Sequence, residues 1–267
     1  MSIKLTFLGT GGAFTDFREN YHNNAVVKTA AGWLLIDCGG TAVQSLKELG
    51  IPLWHLAGVI VTHCHGDHIG GLEQLMWERY YTGPNGPARL TTPIYSTERI
   101  LADVRKSLWA GMDEFTDAQN GSVRSGGYDA LAKPQVPKGA LDLGDLSVTL
   151  KKTPHVVGPG VDKPCYGVWM RKGTPGAEGA IAYYTSDTMF RPDIATLFPE
   201  VDTFFHDCTF SPHYPGTVHT HYSELLTLPA LVRARTVLMH YTKVPEGIDP
   251  VADGFRVAHK HETFDIG

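Results

Sequence analysis

The stretch from residue 58 to residue 72, GVIVTHCHGDHIGGL, constrains this chain more than any other. Its β-branched apolar run, Val59 to Thr62, reads as a buried strand. The run stops on His63, Cys64, His65, Gly66, Asp67 and His68, which places four potential metal ligands within six residues. Residues two apart point to different sides of a helix, so His63 and His65 are expected in a loop wrapped around ions and not on a helix face. Gly66 lets the backbone bend tightly between ligands, and Gly70 and Gly71 permit a close turn into a following helix. Cys64, held between two ligating histidines, is expected to point away from them.

The 267 residues suffice for a large core, and no linker-like tract divides them. One domain over residues 1–267 is expected, with a variable stretch at about 111–140 that is rich in Gly, Pro, Asp and Ser. That stretch reads as a loop or lid near the site, or an oligomer contact. No apolar run approaches the ~18 residues of a membrane span, and the N-terminus alternates like a strand without the features of an export signal. A soluble, cytoplasmic protein is therefore expected. Cys38, Cys64, Cys165 and Cys208 are far apart with no C-x-x-C spacing, which suits reduced thiols. Net charge is −5, and Lys and Arg are scattered. A long polyanion needs a stripe of cations on its partner, so the balance favours a small phosphorylated substrate over long nucleic acid.

Strands are expected at Ile3 to Leu8, Ala25 to Thr29, Trp33 to Ile36, Thr92 to Tyr95, Leu146 to Lys152, Tyr166 to Met170, Ala180 to Tyr184, Asp202 to Phe205 and Thr236 to Met239. Helices are expected at Ala42 to Leu49, Leu72 to Tyr81 and Thr97 to Trp109, the last with apolar residues at 100, 101, 104 and 108. Gly9-Thr10-Gly11-Gly12 reads as a plain turn, His22 and His213 as surface residues, and His55 as structural. Asp37 reads either as a turn cap or as a hydrogen-bonding support for the metal loop. Trp77, Tyr80 and Tyr81 suit core packing, with stacking on a nucleobase as the alternative. His155, Asp187, His206, Asp207 and His240 all fall just past strand ends, where an α/β sheet gathers a site from separate loops.

His63-x-His65-x-Asp67-His68 after an apolar strand resembles the signature of the metallo-β-lactamase fold superfamily, and the resemblance runs over nearly the whole chain. It implies an α/β fold, an αβ/βα sandwich of two mixed β-sheets flanked by helices. It also implies two divalent metal ions, one held by His63, His65 and His155, the other by Asp67, His68 and His240, with Asp187 bridging. Ligands of this mix suit Zn²⁺ best, with Mn²⁺ or Fe as alternatives. Asp67 is also placed to orient the attacking water.

A bridging aspartate resembles the phosphodiesterase and thioesterase branches of the superfamily and not the lactamases. FFHDCTF at 204–210 and VHTHYSELL at 218–226 resemble the tRNase Z-like branch, which implies a general acid at His219, with His221 as its rival. The substrate-clamping arm of tRNase Z is missing between His155 and Asp187, where only a hairpin fits. HCHGDHIGGLEQL, HDCTF and VHTHYSELLTLP are most similar to the anti-Pycsar phosphodiesterases. That resemblance implies hydrolysis of 3′,5′-cyclic nucleotides by a homodimer in which residues 111–140 of one protomer complete the other's site. A tRNA 3′-processing endonuclease and an inactive metal- or nucleotide-binding protein of the same fold are the alternatives.

Overall fold

The computed structural model describes residues 2–176, 181–194, 200–212, 214 and 216–266. Its strands, in chain order, are β1 (Lys4–Gly9), β2 (Asn24–Thr29), β3 (Gly32–Ile36), β4 (Leu56–Ile60), β5 (Thr92–Tyr95), β6 (Glu114–Thr116), β7 (Val123–Ser125), β8 (Ala132–Gln135), β9 (Leu141–Asp142), β10 (Leu146–Gly158), β11 (Val161–Lys172), β12 (Ile181–Tyr184), β13 (Thr203–Asp207), β14 (Thr236–Met239), β15 (Arg256–Val257) and β16 (Thr263–Asp265). One sheet runs β16-β1-β2-β3-β4-β5-β8 and the other β15-β14-β13-β12-β11-β10-β9, with β6 and β7 as a separate small hairpin. Both large sheets are mixed. The first is parallel from β3 to β8, and the second is parallel from β12 to β15.

The two sheets face each other across an apolar layer, and helices cover their outer faces. The alternation along each strand produces this directly. Leu34 and Ile36 of β3 enter the core between the sheets with Phe7, Phe205 and Phe264, while Leu35 packs outward against helices α1 (Ala42–Glu48), α3 (Leu72–Tyr81) and α4 (Glu98–Met112). Phe205 faces the inner layer, whereas Phe204 and Leu238 face the outer one with Tyr222 and Leu225. Strands apolar on both sides read as unbroken hydrophobic runs, as covered parallel sheets require. Phe7, Phe205 and Phe264 meet edge to face at 5.4 to 5.8 Å, the ring geometry aromatic clusters favour. The four apolar positions expected on α4 are all buried.

Some elements depart from the sequence expectation. The ligand loop is irregular only as far as His65, after which Gly66–Ile69 closes one helical turn, α2, carrying Asp67 and His68. β10 continues past Lys152 to Gly158, and its pairing with β11 is irregular between Thr153 and Val156, so His155 sits where the strand is re-aimed. Residues 111–140 hold the β6–β7 hairpin, helix α5 (Gly127–Leu131) and β8, an edge strand of the first sheet. This segment packs on α3 and α4, with Phe115 against Trp77 and Tyr80. His213 and residues 177–180 lie outside the described residues.

Candidate metal centre

The parallel strands deliver the site. Asp37 follows β3, His63 to His68 follow β4, Asp187 follows β12, Asp207 ends β13 and His240 follows β14, so their side chains gather at one end of the sandwich. This is where open α/β sheets collect ligand sites, because the strand ends leave a crevice between diverging loops. The crevice is a cleft of about 990 Å³ whose walls include His65, Asp67, Asp187, His219 and His240.

Among the described residues three groups of donor atoms form there, each with its atoms within 4.8 Å of one another; the third, Asp207, His219 and His240, shares His240 with the second. In the first, His65 Nδ1 lies 3.0 Å from His63 Nε2 and 3.1 Å from His155 Nε2, and Asp187 Oδ2 lies 3.6 and 3.7 Å from His63 and His155. In the second, Asp67 Oδ2 is 3.3 Å from both His68 Nε2 and His240 Nε2, while Asp187 Oδ1 is 3.2 and 3.3 Å from the same two nitrogens. Asp187 thus gives one oxygen to each of the first two groups. A tetrahedral metal with bonds of about 2.0–2.1 Å has ligands about 3.3 Å apart, so these are the separations such an ion requires.

The spacing differs from that of ion pairs holding each other. His68 Nδ1 meets Asp37 at 2.7 Å, a short charge-assisted hydrogen bond, while the Nε2 of the same ring stays 3.2 to 3.3 Å from Asp187 and Asp67. Buried His68 Nε2 and Asp187 Oδ1 make no hydrogen bond of normal geometry. The outer ring nitrogens, in contrast, are engaged. His155 Nδ1 donates to the Val218 carbonyl at 2.9 Å, which leaves Nε2 of the neutral ring with its lone pair toward the group. The donor set therefore fits divalent metal.

The electrostatics divide along the same line. Burial pushes the pKa of His63 and His155 below that of an ordinary histidine, and that of His65 down to about 4. These rings are neutral and ready to ligate. Burial opposes charge on His68 and His240 too, but Asp187, with Asp67 and other carboxylates beside them, overrides it and holds both well above the ordinary value. Asp187 itself is kept well below the carboxylate range despite burial, chiefly by His240 and His68.

A second ring of residues fixes the ligands. Asp37, open to either reading in the sequence, accepts from the Thr62 backbone at 2.8 Å, from the Thr62 hydroxyl at 2.7 Å and from His68. Asn24 accepts from the Gly39 N–H at 2.7 Å and donates to the Asp67 carbonyl at 3.2 Å. A Cβ on Gly39 would run into that Asp67 carbonyl oxygen, so only glycine lets the two loops touch. Asp37, Ser186 and His240 have φ values of 60°, 55° and 64°, left-handed backbone that non-glycine residues rarely adopt and that clusters at functional sites. Cys64 points away from the donors, as expected, toward the Ile100 carbonyl, and burial raises its thiol to about 12.

His219 lies beside both of the groups that share Asp187, its ring 5.1 Å from that of His155 and 4.7 Å from that of His240. Its Nδ1 pairs with Asp207 Oδ2 at 3.0 Å, which leaves Nε2 for the cleft. Burial disfavours charge on this ring, but Asp207 outweighs it and raises the pKa. Asp207 also reaches His240 Nδ1 at 3.3 Å and is held at about 2 by His219 and His240 against the effect of burial. Its role is not apparent from its type, although its place at a strand end was a signal. His221 instead caps the helix Tyr222–Leu225, where its Nδ1 accepts from the Ser223 N–H at 3.2 Å.

One pair of alternatives resolves toward core packing, and two expectations need correction. Trp77, Tyr80 and Tyr81 do not line the cleft: Trp77 stacks on Tyr81, Tyr81 donates to the Thr116 carbonyl at 2.6 Å, and the aromatic side chains in the cleft wall are Phe14, Phe210, Tyr214 and Tyr241. Gly12 is more than part of a turn, since it lines the cleft and a Cβ there would come within 3.2 Å of the His240 ring. His22 is not on the surface but is 7% exposed, in the cleft wall. None of residues 111–140 is among the described lining residues.

Residues 3–264 match the family described as Anti-Pycsar protein Apyc1. An anti-Pycsar protein Apyc1 from Paenibacillus xerothermodurans is 30% identical over 99% of this chain and 98% of its own length. The metallo-β-lactamase fold protein YhfI from Bacillus subtilis superposes with a TM-score of 0.72 at 18% identity, over 99% of this chain and 100% of its own. Human tRNase Z, short form, superposes at 0.67 with 17% identity, over 99% of each chain. Such structural likeness establishes the metallo-β-lactamase fold, and the match over residues 3–264 goes further: the chain belongs to the anti-Pycsar protein Apyc1 family.

Proposed function

We propose that this protein is a binuclear metal-dependent phosphodiesterase that opens the 3′,5′-cyclic phosphate of nucleotides to the linear monophosphate, with Zn²⁺ as the native metal and a homodimer as the working form. The observation that carries the reading is the division of Asp187, whose two oxygens belong to two separate donor groups. His63, His65 and His155 would hold one ion, and Asp67, His68 and His240 the other. Two divalent ions in such groups supply Lewis acidity toward a phosphate and activate water for attack.

The chain's own residues do the rest. His219 holds a proton on Nε2 and passes it to the departing ribose oxygen as the phosphorus–oxygen bond breaks, while water supplies the oxygen that forms the new bond. Asp207 fixes the ring through Nδ1 and favours the protonated state the acid needs. Asp67 would also orient the attacking water. Lys243 is the one Lys or Arg among the described lining residues, which suits a small diester whose charge is met at the donor groups better than a long RNA.

Turnover of a cyclic mononucleotide, bis(4-nitrophenyl) phosphate and a precursor tRNA by metal-loaded protein tests the reading. Fast cyclic nucleotide opening with negligible tRNA cleavage is expected. Cleavage of precursor tRNA without cyclic nucleotide turnover would transfer the site to 3′-processing, and no turnover of any of the three would leave a binding protein.

A further inference from the structure

His22 belongs to neither donor group and has no part in the chemistry above, yet it is built into the same cleft. It stands just before β2, where its backbone N–H donates to the Thr41 hydroxyl at 2.9 Å and its chain pairs with Gly11. The ring is buried, lines the cleft beside Gly12, Asp67 and His240, and is covered edge-on by Phe17 at 4.8 Å. Among the described residues no group makes a hydrogen bond of normal geometry to either of its nitrogens. The Ala13 backbone makes a weak hydrogen-bond contact with the ring, outside normal geometry, that favours the charged form but is outweighed by burial. Buried polar atoms are bonded in the great majority of cases, and those in the wall of an open cleft find their partners in what enters it.

We propose that His22 is a substrate-binding residue whose imidazole hydrogen-bonds an oxygen of the phosphodiester, phosphoryl or ribose, at the Asp67–His240 end of the cleft. The proposal rests on the phosphodiesterase reading. His22 falls in none of the described groups that can converge on an ion, so ligation is not its role. Burial lowers its pKa although Asp67 pulls the other way, so the ring is neutral, with one nitrogen that donates and one that accepts. A phosphoryl oxygen takes the donor, and a ribose hydroxyl can use either.

His22→Ala and His22→Gln in the metal-loaded full chain test this. Loss of one neutral hydrogen bond predicts a KM raised about tenfold in His22→Ala, with kcat within about twofold and metal content unchanged. His22→Gln, which retains a donor and an acceptor, should recover most of the loss. Equal losses on ribose and 2′-deoxyribose cyclic nucleotides mark the phosphoryl oxygen, and a loss confined to the ribose form marks the hydroxyl. Inorganic phosphate titrated into protein carrying ¹⁵N-histidine should shift the His22 ring resonances, identified by their absence in His22→Ala, if the contact is phosphoryl. Unchanged KM on both substrates together with unmoved resonances would overturn the proposal, as would a fall in metal content in both variants. If the unaltered chain hydrolyses bis(4-nitrophenyl) phosphate but no cyclic nucleotide, the substrate reading fails, while KM on that diester and the phosphate titration still judge His22.

Discussion

Asp187 and His219 carry different parts of the account, and their variants separate them. Asp187 serves both donor groups, and among the described residues no other carboxylate belongs to both. Asp187→Asn is expected to reduce bound metal from two ions to one or none and turnover by roughly 10³-fold, measured by elemental analysis and initial rates. His219 pairs with Asp207 and belongs to neither of the groups that share Asp187, although its Nδ1 comes within 3.9 Å of Asp187 Oδ2, so His219→Ala should keep its metal and lose roughly 10²- to 10⁴-fold in turnover. The loss should be larger for poor leaving groups than for 4-nitrophenolate, because only the former need the proton. Equal losses on both, or a defect appearing only in His221→Ala, would contradict the assignment. The capping contact of His221 with Ser223 makes that last result unexpected.

At the level of elements, the sequence was most legible where a single period ran without interruption. α3 and β14 have the expected bounds because their apolar spacing and flanking Gly or polar residues leave little choice. The full ligand set needed the resemblance to the metallo-β-lactamase fold as well, because strand-end position alone marks His206 and Asp207 as much as His155, Asp187 and His240. What could not be read was how loops touch. Asp207 and His22 gain their positions from other loops, Asp207 from His240 and His22 from Thr41, and no local pattern encodes such pairings. Trp77, Tyr80 and Tyr81 lie on a helix face that suits a core better than a base, and the partner that completes that packing, Phe115, comes from a segment with no clear period. Gly39 offers a direct test of loop contact. Gly39→Ala drives a methyl into the Asp67 carbonyl and should cost about 1–3 kcal/mol of stability together with weaker metal retention, measured by denaturant unfolding and dialysis. An unchanged midpoint and full metal content would show that the loops have room the structure does not.

For the molecule as a whole, folding and metal uptake are linked through protons. His68 and His240 are held well above the ordinary histidine value, so in the metal-free chain both carry a proton at neutral pH that an incoming ion must displace. Loading is expected to release roughly two protons per protomer, one from each ring, and to weaken as pH falls. His63, His65 and His155 have lowered values and release none near neutrality, so the group they form should fill at lower pH than the other. Calorimetric titration in buffers of different ionisation enthalpy measures the count; release of no protons would contradict the charge distribution. The central claim is that water opens a cyclic phosphodiester at this site. Mass spectrometry of the product formed from a 3′,5′-cyclic nucleotide in ¹⁸O-labelled water by the metal-loaded protein tests it most directly. The account predicts linear monophosphate carrying a single labelled oxygen, absent with Asp187→Asn, whereas intact cyclic nucleotide beside efficiently cut precursor tRNA would contradict it.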